Sequence, residues 1–253
     1  MLSKNRIKLI HSLEKKKGRL EQGLFVAEGP KMMEELLPLW TPVYLAATSQ
    51  WIEENVNLLN RARDTYEIDT VSSSELERAS LLRTPQHVLA LFKLPNANAD
   101  LAEIAQSELC LALDGVQDPG NVGTIVRLAD WFGIHHIFCS QETADVFAPK
   151  AIQATMGAIA RVQVHYTNLP ETLSKCNAPI YGTHLDGETI YQKTLTSHGI
   201  IVMGNEGKGI SPEISKLVNK RLYIPPFPEN KEKVESLNVA IATAIVCAEF
   251  RRR

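Results

Sequence analysis

Short apolar segments alternate with helix-forming segments along most of this 253-residue chain, and this alternation restricts the fold more than any other feature. The run LCLALDGV at 109–116 is continuously apolar, as expected for a parallel strand buried on both faces. Parallel strands need crossover connections, usually helices, to return to the same edge of a sheet. The sequence therefore predicts an α/β fold.

The pattern falls into two blocks joined by a polar segment. Residues 1–95 begin with an amphipathic helix near 3–18 and predict a small α/β domain with a largely parallel sheet. Residues 96–108 are polar, follow Pro95 and are interpreted as a linker. Residues 109–253 predict a second domain, which ends in a helix at 236–250 that is apolar nearly all round and therefore expected to be buried.

Charge is distributed unevenly along the chain. The formal net charge is −2, yet residues 1–33 carry eight Lys or Arg side chains and only three acidic ones, a local charge of +5. A basic segment on an acidic body suits contact with a polyanion, because phosphate binding depends on local charge. A solvated helix face would explain it equally well.

The cysteines and histidines argue against two kinds of site. Cys110, Cys139, Cys176 and Cys247 form no CxxC pair, and the histidines show no metal-ligand spacing. The N-terminal segment MLSKNRIKLIHSLEKKKGRL has no apolar core of signal-peptide length, and no stretch of the chain approaches the length of a membrane span. We expect a cytoplasmic protein with free thiols, no metal and no membrane contact.

Three loops rich in glycine or proline follow predicted strands. They are DGVQDPGNVG at 114–123, MGNEGKGIS at 203–211 and IPPFPENKEKVESLN at 224–238. Ligands of open α/β sheets bind beyond the carboxyl ends of the strands, so these loops are the candidate site. Neither glycine-rich loop fits the P-loop or GxGxxG pattern, which argues against a nucleotide-dependent enzyme such as a dehydrogenase.

Arg127 lies about one turn into the helix that follows the first of these loops. Helical side chains lean toward the N-terminus of their helix, so its guanidinium could reach the loop that holds Asn121. The alternatives are an arginine that extends into solvent or one that pairs with Asp130 or Asp114.

The other two loops carry polar side chains with simple structural explanations. Glu206 could accept hydrogen bonds from a ligand or a basic residue, or it could be a solvated residue of a turn. Ser236 and Asn238 are both suited to cap the final helix.

Taken together, the segments LDGVQDPGNVGTIVRLADWFGI, IVMGNEGKGIS and IP…ESLNVAIATAI resemble the three signature motifs of the SpoU (TrmH-type) RNA 2′-O-ribose methyltransferases. This family belongs to the SPOUT, or α/β-knot, superfamily, and the resemblance covers residues 109–250. GLFVAEGPKMMEELL, after the basic helix, is similar to the family's N-terminal RNA-binding module, which resembles a ribosomal protein.

The resemblance implies a catalytic domain tied in a deep trefoil knot, which ordinary folds avoid. It implies S-adenosylmethionine as cofactor, methylation of a ribose 2′-OH in RNA, and a homodimer with the site near the subunit interface. The N-terminal module favours ribosomal RNA over transfer RNA as substrate. A transfer-RNA 2′-O-methyltransferase and a non-catalytic RNA-binding protein of the same fold are the alternatives.

The resemblance also assigns roles to individual residues. The catalytic candidates are Asn121, Arg127, Glu206, Ser236 and Asn238. The cofactor contacts are Thr183, Gly204, Ile224 and Leu237. In this assignment Arg127 stabilises the developing alkoxide, Asn121 and Glu206 hold Arg127, and Asn238 orders the loop. The link between Ile224 and Ser236 is several residues longer than is usual in the family and lacks its glycine.

Overall fold

The computed structural model describes residues 2–60, 65–96, 99–228 and 236–252. The chain forms two compact units, Met1–Asn96 with Asp145–Ala160 and Ala97–Ala144 with Arg161–Arg253. In chain order the described helices and strands are α1 Lys4–Ser12, α2 Lys16–Gln22, β1 Leu24–Glu28, α3 Pro30–Leu36, β2 Tyr44–Ala47, α4 Ser49–Glu54, α5 Val56–Leu59, β3 Glu67–Thr70, α6 Ser73–Ala79, β4 Val88–Lys93, α7 Leu101–Ile104, β5 Leu109–Asp114, α8 Pro119–Trp131, β6 His136–Cys139, α9 Pro149–Thr155, β7 Gln163–Tyr166, α10 Leu169–Ser174, β8 Ile180–Thr189, β9 Gly199–Gly204, α11 Pro212–Ser215, β10 Lys220–Tyr223 and α12 Val239–Arg251.

The sheet of the first unit has the strand order β1-β4-β2-β3. β4 runs antiparallel to both of its neighbours, and only β2 and β3 are parallel. The prediction of a largely parallel sheet is therefore wrong for this unit. The run VLALF in β4 is buried throughout, and burial on both faces gives the same apolar pattern whichever way a central strand points.

The single helix predicted near 3–18 is two helices, α1 and α2, with a break at Leu13–Lys15. The buried side chain of Arg19 stabilises the break, because its Nη1 donates to the carbonyl oxygens of Leu13 at 2.7 Å and Glu14 at 2.8 Å. Gly18 is required nearby, since a Cβ atom there would lie 2.0 Å from the carbonyl oxygen of Ser12. Amphipathic periodicity alone does not reveal such a break.

The segment Asp145–Ala160 belongs to the first unit although it lies between β6 and β7 in the chain. Gln153 donates to the carbonyl oxygen of Glu28 at 2.7 Å, and the Phe147 ring lies 5.1 Å from that of Phe25. The predicted division into 1–95 and 109–253 differs from the structure here. Within the predicted linker 96–108, α7 packs with Leu101 buried in the core of the second unit.

The sheet of the second unit is wholly parallel, with the strand order β10-β8-β9-β5-β6-β7. β5 is central and fully buried, as its apolar sequence predicts. α7, α10 and α11 contribute to the core on one face, and α12 packs on the other, where the Phe250 ring meets that of Tyr181 at 4.8 Å. The α/β class is confirmed. No helix in the described ranges is long and apolar enough to cross a bilayer.

Candidate functional site

The first two glycine-rich loops leave the sheet side by side. β5 and β9 are parallel neighbours, and Asp114 at the end of one is aligned with Gly204 at the end of the other. The Asp114 carboxylate accepts from the amide of Ser211 at 2.6 Å, and Asn205 donates to the carbonyl oxygen of Gly115 at 2.7 Å. The two loops are therefore fixed to each other at the carboxyl edge of the sheet.

Three predicted residues meet above this edge, and we call them the loop network: Asn121, Glu206 and Asn238. Asn121 Nδ2 donates to Glu206 Oε1 at 3.0 Å, and Asn238 Nδ2 donates to Asn121 Oδ1 at 3.1 Å. The network joins one residue from each of the three loops. The convergence that the sequence predicts is confirmed for these side chains.

Helix caps hold the two asparagines of the network in place. Asp118 caps α8 by accepting from the amide of Asn121 at 2.9 Å. Asn238 caps α12 and accepts from the amide of Ala240 at 2.9 Å. Of the two residues proposed to cap the final helix, Asn238 fills the role, because its Oδ1 faces the free amides of the first turn.

Glu206 is held as a carboxylate by three donors. Besides Asn121, the amides of Gln117 and Asp118 donate to it at 3.1 and 3.3 Å. Partial burial raises the pKa of Glu206, but the hydrogen bonds from Asn121 and from backbone amides outweigh it, and the net pKa is lowered. Because the folded state favours the ionised form, the network is complete at neutral pH and is lost as pH falls through the lowered pKa.

Replacing Glu206 by Gln should loosen the first loop. One oxygen would become an NH2 group, and a donor would then face the donors of Gln117, Asp118 or Asn121. We expect amide exchange at Gln117 and Asp118 to accelerate about fivefold, the scale of one net hydrogen bond of about 1 kcal/mol.

Amide exchange measured by NMR checks this prediction. Glu213→Gln, which alters an exposed glutamate of α11 in the same unit, is the matched control. In the wild type, the amide nitrogen shifts of Gln117 and Asp118 should titrate with a midpoint below the ordinary glutamate range. Unchanged exchange in Glu206→Gln would contradict the role given to this carboxylate.

Arg127 lies on the exposed face of α8 and makes no hydrogen bond or ion pair within the described ranges. The expected partners are engaged elsewhere: Asp130 pairs with Arg161, and Asp114 accepts from Ser211. The structure does not bring Arg127 to Asn121 or Glu206. Arg127 is six positions after Asn121 in α8. The two side chains therefore point in directions about 120° apart around the helix axis, and their Cα atoms are about 9 Å apart along it.

The predicted cofactor contacts lie on neighbouring elements of the second unit. Thr183 is half-buried in β8, Gly204 ends β9, and Ile224 is half-buried just after β10. These three strands are adjacent and parallel, so their carboxyl ends share one edge. Leu237 is largely exposed before α12.

Ser236 is exposed and makes no hydrogen bond with any residue the structure describes. It lies outside the loop network, in which Asn238 is the member from the third loop. Residues 229–235 of the long link before it lie outside the described residues.

Close backbone packing explains the glycine at position 204. A Cβ atom there would lie 2.3 Å from the carbonyl carbon of Gly209 and from the amide nitrogen of Ile210. Asn205 closes the loop, since its Oδ1 accepts from the amides of Gly207 at 2.9 Å and Lys208 at 3.0 Å. The loop therefore folds back on β9 and presents Glu206 at a fixed place.

Some residues of the site escape sequence reasoning. Ser140 and Thr143 accept from the amide of Gly115 at 3.0 and 3.2 Å and support the first loop. His184, next to Thr183, has a buried Nε2 without a partner among the described residues, and burial and Arg221 lower its pKa. Isolated hydroxyl groups and a single histidine form no recognisable pattern of spacing in the sequence, so these residues could not be predicted from it.

A metal site would need several histidine, cysteine or carboxylate side chains close together. Within the described ranges no three of them cluster as ligands. The polar side chains that meet at this edge are the carboxylates of Asp114, Asp118 and Glu206 and the amides of Asn121, Asn205 and Asn238.

Known proteins share this architecture. The model of the SpoU rRNA Methylase family matches residues 108–248, and that of the MRM3-like substrate binding domain matches residues 4–90. The chain is 28% identical over 249 residues to the 23S rRNA (guanosine(2553)-2′-O)-methyltransferase RlmP of Bacillus subtilis, covering 94% of this chain and 93% of that protein.

Two solved structures extend the comparison. A protein of Porphyromonas gingivalis assigned to the TrmH family of RNA methyltransferases is 43% identical, with a TM-score of 0.86 over 100% of this chain and 99% of that one. An AdoMet-bound rRNA methyltransferase of Sinorhizobium meliloti is 30% identical, with a TM-score of 0.84 over 100% and 97%. Because the family model spans more than half of the sequence and includes all three loops, the chain belongs to the SpoU rRNA methylase family.

Proposed function

We propose that this protein transfers the methyl group of S-adenosylmethionine to a ribose 2′-OH of ribosomal RNA. The observation that carries the proposal is the loop network, in which residues of three separate loops meet through Glu206 and two asparagines. The 23S rRNA 2′-O-methyltransferase of B. subtilis, similar over nearly its whole length, supports the reaction and the substrate.

The residues at the sheet edge fit the cofactor. Thr183 and Gly204 lie in adjacent parallel strands, and Ile224 directly follows the next strand along. His184 follows Thr183 in the chain, and its buried Nε2 has no hydrogen-bond partner among the described residues. A buried polar atom without a partner costs about 1–3 kcal/mol, which a bound polar ligand would recover. When bound, S-adenosylmethionine supplies a methyl group that is already electrophilic on its sulfonium.

The protein must then align the 2′-oxygen and stabilise its charge as the hydroxyl proton leaves. Alignment alone can contribute about 7–11 kcal/mol. A guanidinium is not suited to act as a general base, so we assign Arg127 to stabilising the developing alkoxide or binding the adjacent phosphate, while the proton passes to phosphate or water. Its exposed position on α8 leaves the guanidinium free for RNA.

The first unit supplies RNA affinity in this proposal. It matches a substrate-binding domain, and residues 1–33 have a local charge of +5 although the whole chain has a net charge of −2. Backbone phosphates attract such a surface whatever the sequence. We place the protein in the cytoplasm, where its four free cysteines would stay reduced.

We also propose a homodimer. α8 and α12 pack together, yet Trp131 on α8 and Ile241 on α12 are 83% and 55% exposed. The expectation that α12 is buried all round is therefore not met within one chain. Large apolar side chains left in water on two packed helices favour a subunit contact.

A charge placed in this contact should separate the subunits. We expect the wild-type protein to have the mass of a dimer in light scattering and Ile241→Asp to shift it toward monomer. Leu39→Asp, at a similarly exposed leucine (53%) of the first unit, is the control and should leave the mass unchanged. A wild-type monomer at micromolar concentration would rule out the homodimer.

Mapping 2′-O-methylation in total RNA, with and without the gene, tests the function. We expect one methylated nucleotide of 23S ribosomal RNA to disappear. Loss in a transfer RNA instead would establish the alternative substrate. Calorimetry with S-adenosylmethionine tests the non-catalytic alternative, which requires that the protein not bind the cofactor.

A further inference from the structure

Phe227 is 99% exposed, although every other phenylalanine of the chain is buried or half-buried. A side chain left in water gains none of the free energy that burial of an apolar ring provides. Among the described residues, no other aromatic ring and no cation lies against this ring. Folding of the single chain therefore does not explain a phenylalanine here.

The surrounding sequence holds this ring outward. Pro225, Pro226 and Pro228 flank it, and each proline fixes one backbone φ angle. A stiff segment loses little conformational entropy when its side chain binds a partner. The phenylalanine is thus presented in advance for a contact.

The Phe227 ring lies close to the proposed methyl-transfer site. Phe227 follows Ile224, the proposed cofactor contact after β10, by three residues, so their Cα atoms lie within about 11 Å of each other. Ile224 belongs to the same edge of the sheet as the first two loops. A nucleotide whose ribose meets the methyl group would bring neighbouring bases into this range.

We propose that Phe227 is a stacking platform for an unpaired base of the RNA substrate, next to the ribose that is methylated. Bases of single-stranded RNA stack on exposed aromatic rings. The ring is too exposed to wall a small-molecule pocket, which would bury most of its ligand. A phenylalanine also offers no polar edge to read, so it orients the strand without selecting a base. This inference rests on the proposed function.

Variants of Phe227 separate stacking from simple hydrophobicity. With unmethylated 23S ribosomal RNA as the probe, we expect Phe227→Ala to weaken RNA binding and raise KM about 5- to 150-fold, the value of one stacked base. Phe227→Leu should lose nearly as much, and Phe227→Trp should bind like the wild type. The Kd for S-adenosylmethionine, kcat at saturating RNA and the dimer mass should not change.

An oligonucleotide carrying the methylated position sharpens the test. When the stacked base is replaced by an abasic unit, Phe227→Ala should cost nothing further. Equal binding by the Ala and wild-type proteins, or a leucine variant as good as tryptophan, would overturn the proposal. A changed cofactor Kd would assign the ring to the cofactor, and a changed mass to the subunit contact. A wild-type protein that neither binds nor methylates RNA would overturn the proposed function, and this inference with it.

Discussion

Replacing Arg127 by Ala is expected to lower kcat about 10²–10³-fold, the cost of removing one preorganised donor to a developing oxyanion. The Kd for S-adenosylmethionine should stay within about twofold. Arg127 makes no hydrogen bond or ion pair with Asn121, Glu206 or Asn238 in the described structure and lies on an exposed helix face, so the loops should keep their geometry without it. Single-turnover methylation with saturating RNA, together with calorimetry for the cofactor, measures the two effects separately.

Two further variants sharpen this prediction. Arg127→Lys keeps the charge but loses the planar fork, and we expect it to recover only part of the rate. Lys216→Ala removes one exposed positive charge from the same unit and should leave kcat close to that of the wild type. Near-normal turnover by Arg127→Ala would end the assignment of this residue to catalysis.

How much of the site the sequence predicts depends on whether its contacts are local. A loop that follows a buried parallel strand must emerge at the carboxyl edge of the sheet, and the apolar runs of β5 and β9 show which loops those are. The meeting of Asn121, Glu206 and Asn238 follows from this topology. The expectation that Arg127 reaches Asn121 considered only the lean of helical side chains; the helix period also separates the two positions around the axis, and the described structure has no hydrogen bond between them.

Other features depend on tertiary contacts that leave no periodic trace. The break between α1 and α2 is stabilised by Arg19 through two carbonyl oxygens. The segment Asp145–Ala160 joins the first unit through contacts such as Gln153 with the carbonyl oxygen of Glu28. The sequence gives little sign of β7, because Gln163–Tyr166 is short and only partly apolar. The parallel arrangement expected for the first sheet is wrong because an apolar run shows that a strand is buried but not in which direction it runs.

Replacing Gly204 by Ala adds only one methyl group, yet it should disrupt the edge of the sheet at which we propose that S-adenosylmethionine binds. The added Cβ would lie 2.3 Å from the backbone of Gly209 and Ile210, and main-chain atoms cannot rotate away as a side chain would. The loop that carries Glu206 must therefore move off β9. Overpacking of this kind costs about 1–3 kcal/mol, so we expect lower thermal stability and a Kd for S-adenosylmethionine about 5- to 150-fold weaker.

Gly207→Ala is the matched control, because it makes the same chemical change three residues later in the same loop. A Cβ atom there would have only the side-chain oxygen of Asn205 nearby, at 3.7 Å, which is ordinary van der Waals contact. Gly207 also has no positive φ angle, so alanine fits its backbone. Thermal denaturation and calorimetry should place Gly207→Ala beside the wild type and Gly204→Ala far below it. Equal stability and equal cofactor affinity of the two variants would show that close packing of the loop on β9 does not maintain the proposed cofactor site.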